Sequence, residues 1–302
     1  MNTIIRIQVT STKGTVFTKE KIEDAFSCFD HVVDHFSRFN KKSELSLLNK
    51  GELVGESLSQ EMYELIKLAL DTAYLTKGIY DPTIIDLLEA YGYDSANSFK
   101  GLKNPKLSAE IKKLMANRPS FKEIELDDKH RTVKLVKGQR LDLGSVAKGY
   151  AVDLAIESLN KYGFDGILVN AGGDIRALGV NPAHLPWQVA LFKAALPNSS
   201  YEDKTPSWGN IELLNESISG SGGWARRVGI FHHLIDTSSG FPQNDISQTF
   251  VIAPTATKSD LWSTVLFLMG KDALPLLQKQ GYKGMVVDYQ GAIYKSEQFI
   301  YH

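Results

Sequence analysis

Leu141-Asp142-Leu143-Gly144-Ser145-Val146-Ala147-Lys148-Gly149-Tyr150-Ala151-Val152-Asp153 changes character part-way along. Its first three residues form an apolar strand end, and Gly144 breaks the pattern. A helical spacing then puts Val146, Tyr150, Leu154 and Ala155 on one face. Asp142, Ser145 and Lys148 recur at every third position across this strand-to-helix turn. Such a turn aims backbone N–H groups and the positive end of a helix at one spot, where an anionic or phosphorylated ligand is favoured. The same residues also spell an ordinary capped helix, with Ser145 as N-cap and Lys148 solvated. Other stretches have to choose between the two.

Downstream, the helix is expected to end near Gly163, and residues 166–170 read as a buried strand running into Ala171-Gly172-Gly173-Asp174. Strands then dominate, at 188–191, 211–214, 228–235 and 248–252, with one strong helix over about 257–269 and closing strands at 285–288 and 292–294. Upstream, residues 3–9 alternate as a strand. A helix with Thr18 as its cap carries Ile22, Ala25, Phe26, Phe29, Val33 and Phe36. A short capped helix follows at 43–49, and a longer one opens at Ser59 and is stopped by Gly78. Pro82 holds Asp81 extended before a helix resumes over 83–91. Strands at 123–126 and 132–136 flank Asp127-Asp128-Lys129-His130 as a hairpin. The polar stretch 95–119 reads as an excursion with a short helix near 110–116. The whole, residues 1–302, reads as one α+β domain with a large, mostly antiparallel sheet flanked by helices.

At 302 residues and 43% hydrophobic, the chain can build a sizeable core. Its 34 basic residues against 35 acidic ones show no basic footprint, so no nucleic-acid partner is expected. The single cysteine, Cys28, excludes an intramolecular disulfide. No apolar run approaches membrane-spanning length and no leader pattern is visible. The expectation is a cytoplasmic protein without a membrane span, although a chain trimmed of a leader would read the same.

Several stretches carry chemistry. Asp260, Ser263 and Thr264 share one helix face, an oxygen-rich set of the kind Mg²⁺ takes when water and a phosphate complete its shell. The alternative is a polar helix face with Thr264 bonded back to its own turn. Gly172-Gly173-Asp174 either lets a ligand approach the backbone or makes a tight strand connection. Ser219-Gly220-Ser221-Gly222-Gly223 is a loop of small residues without the helix that a dinucleotide fingerprint needs. In His232-His233-Leu234-Ile235-Asp236, strand alternation puts His233 opposite His232, and an imidazole can take a proton from a hydroxyl nucleophile.

Together these stretches resemble the FAD:protein FMN transferases, the ApbE family, along nearly the whole chain. The matching pieces are Ser37-Arg38-Phe39 with Ser43-Glu44-Leu45-Ser46 and Asn49, Tyr80-Asp81-Pro82-Thr83, the 141–153 stretch, Val169-Asn170-Ala171-Gly172-Gly173-Asp174-Ile175, and Ser219-Gly220. His233-Leu234-Ile235-Asp236 with Gly240-Phe241-Pro242 follows, then Val251-Ile252-Ala253-Pro254-Thr255-Ala256 with Ser259, Asp260, Ser263 and Thr264. The resemblance implies an ApbE-like fold related to the T-fold. It implies Mg²⁺-dependent transfer of FMN from FAD to a Thr or Ser hydroxyl of an acceptor protein, with release of AMP. By the same carry-over, Ser145, Asp260, Ser263 and Thr264 belong to the metal site. Met1, Phe39, Ile79, Tyr80, Asp81, Asp142, Lys148 and Ile235 contact FAD, and His233 is the general base. The sequence departs from the family where 236–240 lacks the usual proline, where 221–225 replaces an acidic–aromatic segment, and where Phe39 stands for the common Tyr. Two other readings are an FAD pyrophosphatase that gives FMN and AMP, and a non-catalytic flavin-binding or delivery protein. Retention of Asp260, Thr264 and His233 argues against the second.

Overall fold

The computed structural model describes residues 3–94, 106–193, 207–223 and 231–302. In chain order the elements are β1 (Ile5–Thr10), α1 (Thr15–Phe36), α2 (Glu44–Asn49), α3 (Gln60–Leu75), α4 (Ile85–Ala90), α5 (Leu107–Asn117), β2 (Glu125–Asp127), β3 (Thr132–Lys134) and α6 (Ala147–Asn160). There follow β4 (Gly166–Ala171), β5 (Asp174–Gly179), β6 (Trp187–Phe192), β7 (Ser207–Leu213), β8 (Ser217–Gly222), β9 (Ile235–Asp236), β10 (Phe241–Pro242), β11 (Ile246–Ala253), α7 (Ala256–Met269), α8 (Leu274–Lys279), β12 (Lys283–Asp288) and β13 (Ile293–Lys295). They gather into two compact units. The first comprises Met1–Val32, Val146–Trp224 and Asn244–His302, and the second Val33–Ser145 and Ala225–Gln243.

The first unit is built on a seven-stranded sheet in the order β1-β4-β5-β8-β11-β12-β13, antiparallel at every neighbouring pair. The expected α+β architecture with a large antiparallel sheet is therefore present. Alternation along β11 explains why all eight of its residues are buried. Phe250 and Ile252 join a core with Trp187, Val189, Ile211 and Leu213 of the β6–β7 hairpin. Thr249, on the opposite side, donates its hydroxyl to the Ser263 carbonyl of α7 (2.9 Å). The sheet is thus covered by a hairpin on one face and by helix on the other.

The serine-rich stretch after residue 216 is a strand, not the small-residue loop its composition suggested. Ile218 of β8 enters the hairpin-side core. Ser219 and Ser221 point to α7, where their hydroxyls pair with Ser259 and Ser263 at 2.8 Å each. Small side chains on that face let the helix lie close to the strand. β5 was also not anticipated, since Gly172 and Gly173 end β4 and turn the chain straight back. Both glycines have positive φ, 65° and 103°. A Cβ at Gly172 would sit 2.1 Å from Thr3 Oγ1, so the close approach there is made by the chain itself. Of the two readings of this turn, the structure makes the tight strand connection.

Helix α6 packs on α7 through a different face from the one the 141–153 spacing suggested. Gly149, Val152, Asp153 and Ile156 are buried, whereas Tyr150 and Leu154 are only half-buried. Gly149 is required for close approach, because a Cβ there would lie 2.2 Å from the Ala256 carbonyl oxygen. Asp153 then caps α7 from outside. It accepts the Ala256 N–H (2.8 Å), the Thr257 N–H (2.8 Å) and the Thr257 hydroxyl (2.6 Å), while Arg176 donates to it at 2.8 Å. At the other end, Val146 is the N-cap of α6 and makes no side-chain cap bond, so Ser145 is not the cap. Likewise α1 begins at Thr15, and the Thr18 hydroxyl bonds to the Gly14 carbonyl rather than capping the helix.

In the second unit, Ser43 and Ser59 cap α2 and α3 as expected, and β2 pairs with β3 as the expected hairpin. From the 95–119 stretch, residues 95–105 lie outside the described residues. In α5, Leu107 and Ile111, one turn apart, enter a core with Leu87, Leu88, Tyr91, Tyr93 and Ile235.

Replacing Gly149 by Ala is expected to destabilise the protein by about 2 kcal/mol, because two helix backbones must separate to admit one methyl group. Chemical denaturation would show this as a lower midpoint at unchanged slope.

Candidate active-site residues

In the first unit, the β4–β5 turn delivers Asp174 at the first position of β5, opposite Ala171. Its carboxylate is 1% exposed and forms an ion pair with Lys148 on the first turn of α6. The same ammonium lies 3.7 Å from Asp260 Oδ1, and the other oxygen of Asp260 accepts the Gly149 N–H at 3.0 Å. Lys148, expected to contact FAD, therefore sits between two carboxylates. This trio carries one negative charge in excess, with Asp260 itself buried.

Asp260 and Thr264 share a face of α7 one turn apart, and Thr264 is half-buried. Ser263 is committed elsewhere. Its hydroxyl donates to the Asp260 carbonyl (2.9 Å) and pairs with Ser221, so Ser263 and not Thr264 bonds back to the preceding turn. Among the described residues, no three His, Cys, Asp or Glu side chains gather into a metal cage. The donors that fit a metal here are hard oxygens, a buried carboxylate with a neighbouring hydroxyl and surplus negative charge. This set suits Mg²⁺, which takes few protein ligands and keeps water or phosphate in the rest of its shell.

In the second unit, the first part of the turn is held by polar side chains as well as by the fully buried Leu141 and Leu143. Asn49 acts as a surrogate strand neighbour to Leu141. It donates Nδ2–H to the Leu141 carbonyl (2.9 Å) and accepts the Leu141 N–H at Oδ1 (2.7 Å). Arg140 forks onto Glu89 at 3.1 and 2.7 Å and also reaches Asp86. The Asp142 N–H donates to the Pro82 carbonyl (2.8 Å), and Asp142 Oδ1 accepts the Gly144 N–H (2.9 Å). Arg38 forms an ion pair with Asp142, Nε to Oδ2 at 2.7 Å, with the N–H directed off the oxygen. Ser145 Oγ pairs with the Tyr80 hydroxyl at 2.8 Å.

The 78–83 loop is fixed as tightly. Asp81 Oδ1 accepts the Thr83 N–H (2.8 Å) and hydroxyl (2.7 Å), and its Oδ2 is paired with Arg118. Arg118 also donates to Thr83 Oγ1 at 3.0 Å. Thr237, in the stretch that lacks the family's usual proline, gives its hydroxyl to the carbonyls of Gly78 and Ile79. Tyr80, Asp81 and Ile235 are buried, with Ile235 spent in the core, whereas Ile79 is half-buried and Phe39 is 53% exposed. Met1 lies outside the described residues.

His233 does not sit on the expected strand over 228–235. Residues 228–230 are outside the described ones, 231–234 are irregular, and regular pairing is confined to β9 with β10. One reason is His232. Its Nδ1 accepts the Leu234 N–H (3.2 Å) while Nε2 meets the Gln243 carbonyl (2.8 Å), so a side chain takes a donor that a strand ladder would use. Both contacts fit the neutral ring protonated at Nε2. His232 is fully buried, whereas His233 is half-buried and stands edge-on to Tyr93 at 6.2 Å.

Sequence reading did not assign roles to Asn49, Arg118, Asp153, Asp174 or Arg176. Asn49, Asp153 and Asp174 lie inside quoted motifs, but partners of these residues are remote in sequence. Leu141 is 92 positions from Asn49, and Ala256 is 103 from Asp153.

A model of the ApbE family matches residues 1–286 of the 302. An FAD:protein FMN transferase of Haemophilus influenzae is 28% identical over 92% of this chain and 82% of its own length. The Escherichia coli K12 protein of the same name is 23% identical over 94% and 80%. The crystal structure of the ApbE protein of Thermotoga maritima superposes with a TM-score of 0.84 at 28% identity, covering 98% of this chain and 94% of that one. With so nearly complete a match to the family model, the chain belongs to the ApbE family.

Proposed function

We propose that the chain transfers FMN from FAD to a Thr or Ser hydroxyl of an acceptor protein and releases AMP, with Mg²⁺ as the required metal. The observation that carries this reading is that relatives aligned over more than nine-tenths of the chain bear the name FAD:protein FMN transferase. In support, the residues that such a reaction needs are intact and built into ordered surroundings.

In this reading the acceptor oxygen attacks the phosphorus of the FMN half of FAD. A new O–P bond forms as the bond to the bridging oxygen breaks, and AMP leaves with that oxygen. The hydroxyl proton passes to an imidazole nitrogen of His233, whose loop is set by the His232 bonds. Asp260 and Thr264 would hold Mg²⁺, which supplies charge neutralisation at the pyrophosphate. Ser145 stays in the metal set on the resemblance alone, and Ser263 is assigned to fixing α7 on β8. Lys148, shared by Asp174 and Asp260, is a cation available to phosphate oxygens. Tyr80, Asp81, Asp142 and Phe39 belong to FAD binding, where Arg118 holds Asp81 and Asn49 holds the turn.

Incubation with FAD, Mg²⁺ and a peptide bearing a flavinylation threonine is expected to give AMP and a peptide heavier by one FMN, read by chromatography and mass spectrometry. AMP with free FMN and an unmodified peptide would instead indicate pyrophosphatase activity. Chelation should abolish AMP release. His233→Ala is expected to slow transfer by about 100-fold or more while FAD still binds, the usual scale for a lost general base. Asp260→Ala should weaken Mg²⁺ binding by at least about 100-fold in calorimetry, since loss of an outer partner alone costs 10–100-fold.

A further inference from the structure

One guanidinium in the second unit touches two of the residues assigned to FAD. Arg38 lies in the irregular connection between α1 and α2, and its side chain is only 10% exposed. It donates Nη2–H to the Tyr93 carbonyl at 2.7 Å, and Nη1 lies 3.8 Å from Glu89 Oε1. These contacts fix the plane of the guanidinium. Held there, it forms an ion pair with Asp142, Nε to Oδ2 at 2.7 Å, and its central carbon lies 4.2 Å from the centroid of the Phe39 ring. Phe39 would otherwise be a loose aromatic side chain on the surface, as its 53% exposure shows. A cation stacked on one face orients the ring and leaves the other face free.

We infer that Arg38 is a positioning residue for the FAD-binding surface, setting the Phe39 ring and the Asp142 carboxylate relative to one another before substrate arrives. This rests on the proposed FAD chemistry and extends it to a residue that does not itself need to touch the reacting atoms. The geometry calls for arginine specifically. A lysine could keep a charge near Asp142 but has neither the flat face for Phe39 nor the second arm for Tyr93. Pre-orientation of this kind acts on binding, because it removes a cost of ordering side chains when the ligand arrives.

The test is FAD affinity of the full chain by flavin-fluorescence titration, with KM and kcat for AMP release and a thermal melt for each variant. Arg38→Met is expected to weaken FAD binding and raise KM by about tenfold with kcat within about twofold, the pattern of lost binding rather than lost chemistry. Arg38→Lys should recover only part of the loss. The double variant Arg38→Met/Phe39→Leu should lose less affinity than the sum of the two single losses, because part of the Arg38 effect runs through the ring. Native-like FAD affinity in Arg38→Met, or strictly additive losses in the double variant, would overturn the inference while leaving the transferase reading intact. If Arg38→Met does not fold, Arg38→Lys decides, and unchanged affinity there overturns it. If the native chain binds no FAD at all, the transferase reading fails and the inference falls with it.

Discussion

Asp153 is the carboxylate on which the first unit depends. A helix such as α7, buried almost all round, cannot leave its first N–H groups to water. Asp153 satisfies two of them and the Thr257 hydroxyl from the neighbouring helix, and Arg176 balances its charge. The interaction requires α6 and α7 to lie almost in backbone contact, and Gly149 makes that contact possible. Asp260 is one turn further along α7, and its carboxylate accepts the N–H of the same Gly149. The packing device and the placement of the Asp260 carboxylate are therefore one arrangement. A shift at Asp153 would propagate into both.

The second unit solves a different problem. Its turn buries Leu141 and Leu143, and the polar groups between and around them still need partners. The partners are the Asn49 amide from α2, the Glu89 carboxylate of α4, which accepts from Arg140, and the Arg38 guanidinium from the connection after α1. Each makes at least two contacts, so each removes more than one degree of freedom. The 78–83 loop follows the same rule, with Thr237 and Arg118 as its ties.

Local patterns in the sequence led to the right elements wherever structure is governed by local chemistry. Ser43 and Ser59 cap helices, Gly78 follows the end of α3 with positive φ, and the strong helix after Thr255 is α7 within a residue or two. They failed where a tertiary neighbour decides. Ser217–Gly222 has the composition of a loop, yet it is a central strand because α7 needs small residues opposite it. The inward face of α6 was misread because Gly149 and Asp153 are not apolar, although both are buried against α7. Strand alternation gave His232 only a place opposite His233, while its ring in fact holds the loop in place. The family motifs name candidate residues in both units. They did not show that Lys148 is shared between Asp174 and Asp260, since no spacing rule brings β5, α6 and α7 to one point.

The paired hydroxyls between β8 and α7 carry an implication for how this sequence can drift. Ser259 and Ser263 donate to the Ala256 and Asp260 carbonyls, so Ser219 and Ser221 are the donors in the Ser219–Ser259 and Ser221–Ser263 couples. Changing Ser259 to alanine strands the fully buried Ser219 hydroxyl, whereas changing Ser219 first leaves Ser259 with the Ala256 carbonyl. Substitutions in this couple are therefore epistatic and ordered. An evolving lineage can replace the couple by starting at Ser219, but starting at Ser259 takes it through a less stable intermediate.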